Sequence, residues 1–125
     1  MSYNYNIDYT NKIIFIDISG IIGEYEAADL GRTMRHKALE AGYSLVFNLK
    51  RTTTNISMGS AYFWFENHYD KINEKMRHVP TAYIIPTAQS NYYNFIQVIC
   101  MNYGIRTRIF TNKTHATNWL RKSNS

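Results

Sequence analysis

The residues best suited to chemistry lie where an apolar run ends and a helical pattern begins, between positions 45 and 59. Two cations and two hydroxyl side chains mark this junction: Lys50, Arg51, Thr54 and Ser57. The first backbone N–H groups of a helix lack partners within it, and the helix dipole adds positive charge there. The junction therefore predicts a docking loop or a site for a phosphate or carboxylate. The alternative is a solvated loop in which Asn55 or Ser57 only caps the helix.

A second candidate surface lies on the helix that we expect between Ser57 and Arg77. Its predicted core stripe comprises Met58, Ala61, Tyr62, Phe65, Tyr69, Ile72 and Met76. Phe63 and Trp64 fall roughly 120–140° away from that stripe at ~100° per residue. Exposed aromatic side chains are typical of interfaces, so this pair predicts a partner or dimer surface. The alternative is a helix buried on two sides within the monomer.

Residue types that perform catalysis or bind metals are present but are not grouped in the sequence. The four histidines lack the spacing of a metal site: His36, His68, His78 and His115. Cys100 falls on the expected core side of a helix, and no serine has a nucleophile-elbow context. No glycine-rich phosphate loop is present. We therefore expect no catalytic set, no cofactor and no metal, and we expect that the protein is not an enzyme.

Composition and charge narrow the class of protein. A chain of 125 residues suits one domain, and a single cysteine fits a reducing compartment. No apolar run approaches the ~20 residues of a membrane span, and no signal peptide is apparent, so we expect a cytoplasmic protein. The net charge is +5, with all nine acidic residues at or before Glu74. This asymmetry predicts an anionic partner for the C-terminal region. The alternative is that the basic residues lie on separate elements and form no common patch.

Periodicity predicts the elements that would position these residues. Two β-prone runs open the chain, and strands and helices then alternate, in the order β-β-α-β-α-β-α-β-α. This order predicts an α/β fold with a mixed, mostly parallel sheet under helical cover. The first helix, residues 24–41, is amphipathic. Its charged residues fall between the apolar positions: Arg32, Arg35, Lys37 and Glu40.

Three segments resemble a known family. They are residues 13–20 before the first helix, 44–49 before the polar loop, and 104–110 with the following Ala-x-x-Trp-Leu helix of residues 116–120. The chain resembles SpoIIAA-like, or STAS-like, domains, and in particular small bacterial proteins of that fold without an assigned function. The resemblance covers nearly the whole chain and implies a single domain, 1–125.

The family's phosphorylation motif is only partly present. Anti-sigma-factor antagonists of this family carry Asp-Ser-Ser-Gly at the start of the second helix, and the corresponding residues are 56–59. Ser57 and Gly59 match this motif, whereas Ile56 replaces the aspartate and Met58 replaces the phosphorylated serine. The resemblance therefore implies the family's geometry without its phosphoserine switch.

Three functions remain open from the sequence. The leading hypothesis is a non-enzymatic regulatory or protein-interaction module that acts through the second helix and its preceding loop, and we expect it to form a homodimer. Its protein partner is unknown, and nucleic acid and membranes are not the expected partners. The second hypothesis is a small-ligand or lipid-binding domain of SEC14-like type, with a pocket between sheet and helices. The third is an anionic-surface binder, for nucleic acid or membrane, through the acid-free C-terminal region.

Overall fold

The protein folds as five strands and five helices in the computed structural model, which describes residues 1–68 and 73–123. The elements in chain order are β1 (Ser2–Asp8), β2 (Ile13–Ile22), α1 (Glu24–Ala41), β3 (Ser44–Thr54), α2 (Met58–His68), α3 (Glu74–Arg77), β4 (Thr81–Ile84), α4 (Ser90–Asn102), β5 (Thr107–Phe110) and α5 (Lys113–Ser123). A 3-10 turn, Thr87–Gln89, precedes α4.

The five strands form one sheet in sequence order, β1-β2-β3-β4-β5. The β1–β2 hairpin is antiparallel, and the other three pairs are parallel. The α/β fold with a mixed, mostly parallel sheet is thus confirmed. The helix predicted over 57–77 differs, because α2 ends at His68 and α3 begins at Glu74. The predicted core positions Tyr69 and Ile72 lie outside the described residues.

The two faces of the sheet are covered differently. Crossovers of one hand between successive parallel strands carry α1, α2 and α4 to the same face, which we call the three-helix face. Its core includes Ile14, Ile16, Leu30, Met34, Leu45 and Phe47. The opposite face, the α5 face, packs against α5. Its core comprises Ile13, Val46, Ala82, Ile84, Ala116 and Leu120.

Strand β3 extends five residues beyond the apolar run predicted for it, through Thr54. The pairing shifts in register, from Asp17 opposite Asn48 to Ser19 opposite Arg51, so β3 carries one extra residue. Such a bulge reverses which side chains face the core. Before the bulge the odd-numbered residues of β3 face the three helices, and after it the even-numbered ones do. The predicted polar loop is therefore wrong for residues 50–54, and the connection to α2 is only 55–57.

Helix α1 is the best-defined wall of the three-helix face. Leu30, Met34 and Ala38 recur every fourth residue and are buried against the sheet. The helix ends at Gly42, whose φ of 73° is in the left-handed region, and its N–H reaches the carbonyls of Ala38 and Leu39. Across the described residues, no helix combines the length and apolar character needed to cross a membrane.

Candidate functional site

A cavity of about 150 Å³ lies on the three-helix face, between the sheet and helices α1, α2 and α4. Its walls are mainly apolar and include Ile18, Leu30, Phe47, Leu49, Ala61 and Trp64. Protein interiors are ordinarily packed as densely as organic crystals, with few voids larger than a water molecule. A space of this size between sheet and helices is therefore a candidate binding site.

Arg35 is a charged residue in the wall of this cavity. The side chain is only 5% exposed, and its Nη2 donates a hydrogen bond to the Tyr83 hydroxyl at 3.2 Å. Its buried Nε has no hydrogen-bond partner. The expectation that Arg35 belongs to the solvated face of the first helix is thus wrong. The guanidinium offers donors to the interior of an apolar pocket.

Gly31, one helical turn before Arg35, makes room for this guanidinium. Helical side chains lean toward the N-terminus of their helix, so the side chain of Arg35 passes over position 31. A Cβ at position 31 would lie 3.1 Å from Nη1 of Arg35, which is a tight contact. A glycine four residues before an arginine, on the side of a helix next to its apolar stripe, is the sequence signal that could have identified this residue.

No carboxylate in the described residues pairs with Arg35. Three of the four acids of α1 have other partners: Asp29 with Arg32 at 2.8 Å, Glu40 with His36 at 2.9 Å, and Glu26 with the N-terminal amine at 3.9 Å; the fourth, Glu24, lies in the first turn of the helix, about three turns before Arg35. Burial works against the charge of Arg35, but the nearby Tyr83 and Cys100 outweigh it, so the pKa of the guanidinium is raised. A cation thus lies in the core beside a hydroxyl, and such desolvation costs several kcal/mol.

Hydroxyl groups at the end of β3 supply the other polar part of the cavity wall. The Thr54 hydroxyl lies 2.7 Å from the Tyr93 hydroxyl. The side-chain amide of Gln89 pairs with both backbone groups of Thr54, at 3.3 Å each. Burial raises the pKa of both Tyr92 and Tyr93, so these phenols stay protonated and can donate hydrogen bonds. The bonds hold this wall in one arrangement.

Cys100 and the histidines offer little obvious chemistry. Cys100 is buried, as predicted, and burial raises the pKa of its thiol, which disfavours the nucleophilic thiolate. Within residues 1–68 and 73–123, no three His, Cys, Asp or Glu side chains are grouped as a metal site would require.

The predicted anion or docking loop is not assembled as expected. Lys50 and Arg51 are exposed residues of β3, and Thr54 lies four positions after Lys50 along the strand, about 13 Å away. Thr54 turns inward to Tyr93. Ser57 Oγ accepts the backbone N–H of Ser60 at 3.0 Å, so it caps α2. The bulge and the longer strand therefore distribute these four residues among different roles.

The predicted partner surface is divided between two environments. Phe63 is 63% exposed, as expected, and Tyr62 beside it is 46% exposed. Trp64 is half-buried and lines the cavity, so its predicted exposure is wrong in large part. Met58 and Tyr62, predicted to be core residues, are exposed instead. Helix α2 instead directs Ala61, Trp64 and Phe65 toward the cavity, so its buried side is centred on these residues.

Comparison with known families gives no model that matches the chain, and no curated protein matches it. The resemblance to STAS-like domains therefore stays a prediction.

Proposed function

We propose that this protein is a small-ligand-binding domain and that its site is the cavity of the three-helix face. The observation that supports the proposal is an apolar space of about 150 Å³ in the core, lined at a few points by polar side chains. In another protein, an enclosed apolar cavity of similar size binds benzene, and the cavity of this protein is partly open, since exposed Arg32 is among its lining residues. Binding sites for small molecules typically combine apolar walls with a few polar groups that fix orientation.

A fluorescence titration with 1-hexanol tests this proposal directly. The chain has two tryptophans: Trp64 lines the cavity, whereas Trp119 packs against Phe110 on the α5 face, with ring centroids 5.8 Å apart. In the Trp119→Phe variant, 1-hexanol should produce a saturable change in the emission of Trp64. In the matched Trp64→Phe variant, the emission of Trp119 should stay constant over the same titration.

A cavity-filling substitution provides an independent check. Ala28 lies in the cavity wall, and Leu at this position would occupy part of the space. Ala41, at the exposed end of the same helix, gives the matched control Ala41→Leu. We expect Ala28→Leu to abolish the saturable response and Ala41→Leu to leave it unchanged. Equal binding in both variants, or none in the parent protein, would contradict the proposal.

The exposed aromatic residues of α2 favour a second candidate function. Tyr62 and Phe63 are in edge-to-face contact, with ring centroids 6.4 Å apart, and both are exposed. We propose on this basis a non-enzymatic regulatory or protein-interaction module of STAS-like fold, without the family phosphoserine, that forms a homodimer through α2. Aromatic residues on a polar surface are typical of such contacts.

Light scattering across a concentration series tests the homodimer. Phe63→Ser should shift the protein toward monomer, whereas Ile21→Ser should not. Ile21 is a fair control because it has the same 63% exposure but lies on β2. A parent protein that stays monomeric at every concentration would rule out the dimer.

A further inference from the structure

We infer that the ligand of the cavity carries a carboxylate that pairs with Arg35; this inference rests on the proposed function. The cavity wall contains a cation, Arg35, that forms no ion pair with an acid of the described residues and whose Nε lacks a hydrogen-bond partner. A buried charge is ordinarily paired, and a ligand carboxylate would supply both the negative charge and the missing acceptor.

The donors that remain on Arg35 fit a carboxylate. Nη2 gives one of its two N–H groups to the Tyr83 hydroxyl, which leaves the other, together with Nε or Nη1 beside it, for an incoming anion. A guanidinium offers its donors in a planar fork that matches the two oxygens of a carboxylate. Tyr83 and Gly31 also line the cavity, so the guanidinium is held between the sheet and its own helix.

Charge favours a carboxylate over a phosphate. A phosphate monoester carries a charge of about −1.5 to −2 near neutral pH, which one guanidinium would not neutralise in apolar surroundings. The other cations of the cavity wall are already paired, Arg32 with Asp29 and the N-terminal amine of Met1 with Glu26. Glu24 also lines the cavity, and its carboxylate would repel a doubly charged phosphate more strongly than a singly charged carboxylate.

The size of the cavity limits the rest of the ligand. A volume of about 150 Å³ accommodates a short aliphatic chain or a single aromatic ring. Apart from Arg35, the cations in the cavity wall are paired with acids, so the rest of the ligand meets mainly apolar side chains. The class of ligand is therefore a small monocarboxylic acid with an apolar body.

Three matched probes test the inference: hexanoate, 1-hexanol and hexyl phosphate. Each is titrated into the Trp119→Phe protein, and Trp64 emission reports binding. We expect hexanoate to bind at least about tenfold more tightly than 1-hexanol, because a hydrogen bond to a charged group replaces an uncompensated charge. Hexyl phosphate should bind more weakly than hexanoate.

Two variants assign the preference to Arg35. Arg35→Met removes the charge, and Gly31→Ala keeps it but crowds Nη1 while favouring the helix. Both should lower hexanoate affinity, Arg35→Met to the level of 1-hexanol, and neither should weaken 1-hexanol. Thr33→Ala, on the exposed side of α1, is the control and should change nothing.

The outcomes separate the two proposals. Equal affinity for hexanoate and 1-hexanol, or a preference that survives Arg35→Met, would overturn the carboxylate while leaving the ligand-binding function in place. Tighter binding of hexyl phosphate would replace the carboxylate with a phosphate. Absence of binding by all three probes would overturn the proposed function and the carboxylate together.

Discussion

The two faces of the sheet solve the same packing problem in different ways. On the α5 face, Ile13, Val46, Ala82, Ala116 and Leu120 are completely buried. Small alanines on strand and helix let the layers approach closely there. On the three-helix face, several aromatic residues lie between the helices and the sheet, together with a cavity and a buried arginine. One face is thus built for packing, and the other carries features that packing alone does not explain.

The α5 face has the packing that stabilises a fold, whereas the three-helix face has features that lower stability. Close packing maximises dispersion contacts, whereas a void and a buried charge both lower stability. Features that reduce stability and yet sit together are typical of binding sites. The following predictions test whether the two faces differ in energy as they do in geometry.

The largest expected effect is the loss of packing on the α5 face. Leu120→Ala should lower the free energy of unfolding by about 3–5 kcal/mol, since a fully buried leucine leaves a new cavity. Leu30→Ala should cost less, about 2–3 kcal/mol, because Leu30 already borders a void. Urea denaturation of both variants measures the difference. A larger loss at Leu30 would contradict the contrast between the faces.

The next effect has the opposite sign. Arg35→Met should raise the free energy of unfolding of the ligand-free protein by about 1–3 kcal/mol, because it replaces a buried charge with an apolar side chain of similar length. Arg121→Met, on the exposed side of α5, should stay within about 0.5 kcal/mol of the parent. Thermal and urea unfolding provide the measurement. Destabilisation by Arg35→Met would mean that its hydrogen bond to Tyr83 outweighs its desolvation.

Alkaline pH should weaken the three-helix face in particular. Burial raises the pKa of Cys100 in the folded protein, so the unfolded chain loses this proton first as pH rises. The associated stability is fully present below the unfolded pKa of about 8.5 and is lost as pH rises through the higher folded pKa. Cys100→Ala should therefore reduce the fall in unfolding free energy between about pH 8 and pH 10. An unchanged slope would place the alkaline sensitivity elsewhere.

The smallest effect concerns the wall that α2 contributes. Ser57→Ala removes the cap on the Ser60 N–H and should cost about 1 kcal/mol or less. Amide hydrogen exchange should rise in α2, whereas α5 should keep its protection. Thr33→Ala, an exposed substitution on α1, serves as the control. Equal changes in α2 and α5 would indicate a global loss of stability.

Much of the fold could be predicted from periodicity. The apolar stripe of α1 and the continuous apolar run of β3 each follow from burial on a regular backbone. The extension of β3 could not be predicted, because residues 50–54 are polar and their strand pairing depends on β2. The register shift opposite Asp17 and Ser19 arises from contacts between strands and has no local signature.

The cavity could not be predicted from the sequence for a related reason. The sequence predicts the fate of a side chain from its own helix, and Arg35 lies among charged residues that do face water. Its burial depends on Gly31 before it and on Tyr83 of β4 beside it, which is a tertiary effect. Trp64 was misplaced because the expected core stripe of its helix was centred on the wrong face. The prediction that Lys50, Arg51, Thr54 and Ser57 form one cluster is wrong, because the longer β3 separates them.

The extra residue in β3 has a consequence for how the gene can vary. Loss of Lys50 would join Leu49 directly to Arg51 and remove the extra residue, while Asp17 stays opposite Asn48 and Ser19 stays opposite Arg51. Strict alternation along the strand would then keep Leu49, Thr52 and Thr54 on the inward side. Both substitution and in-frame deletion of exposed Lys50 should therefore be tolerated, whereas deletion of a residue earlier in β3 would exchange its inward and outward side chains. Deep mutational scanning would register the bulge as the place in β3 that tolerates loss of one residue.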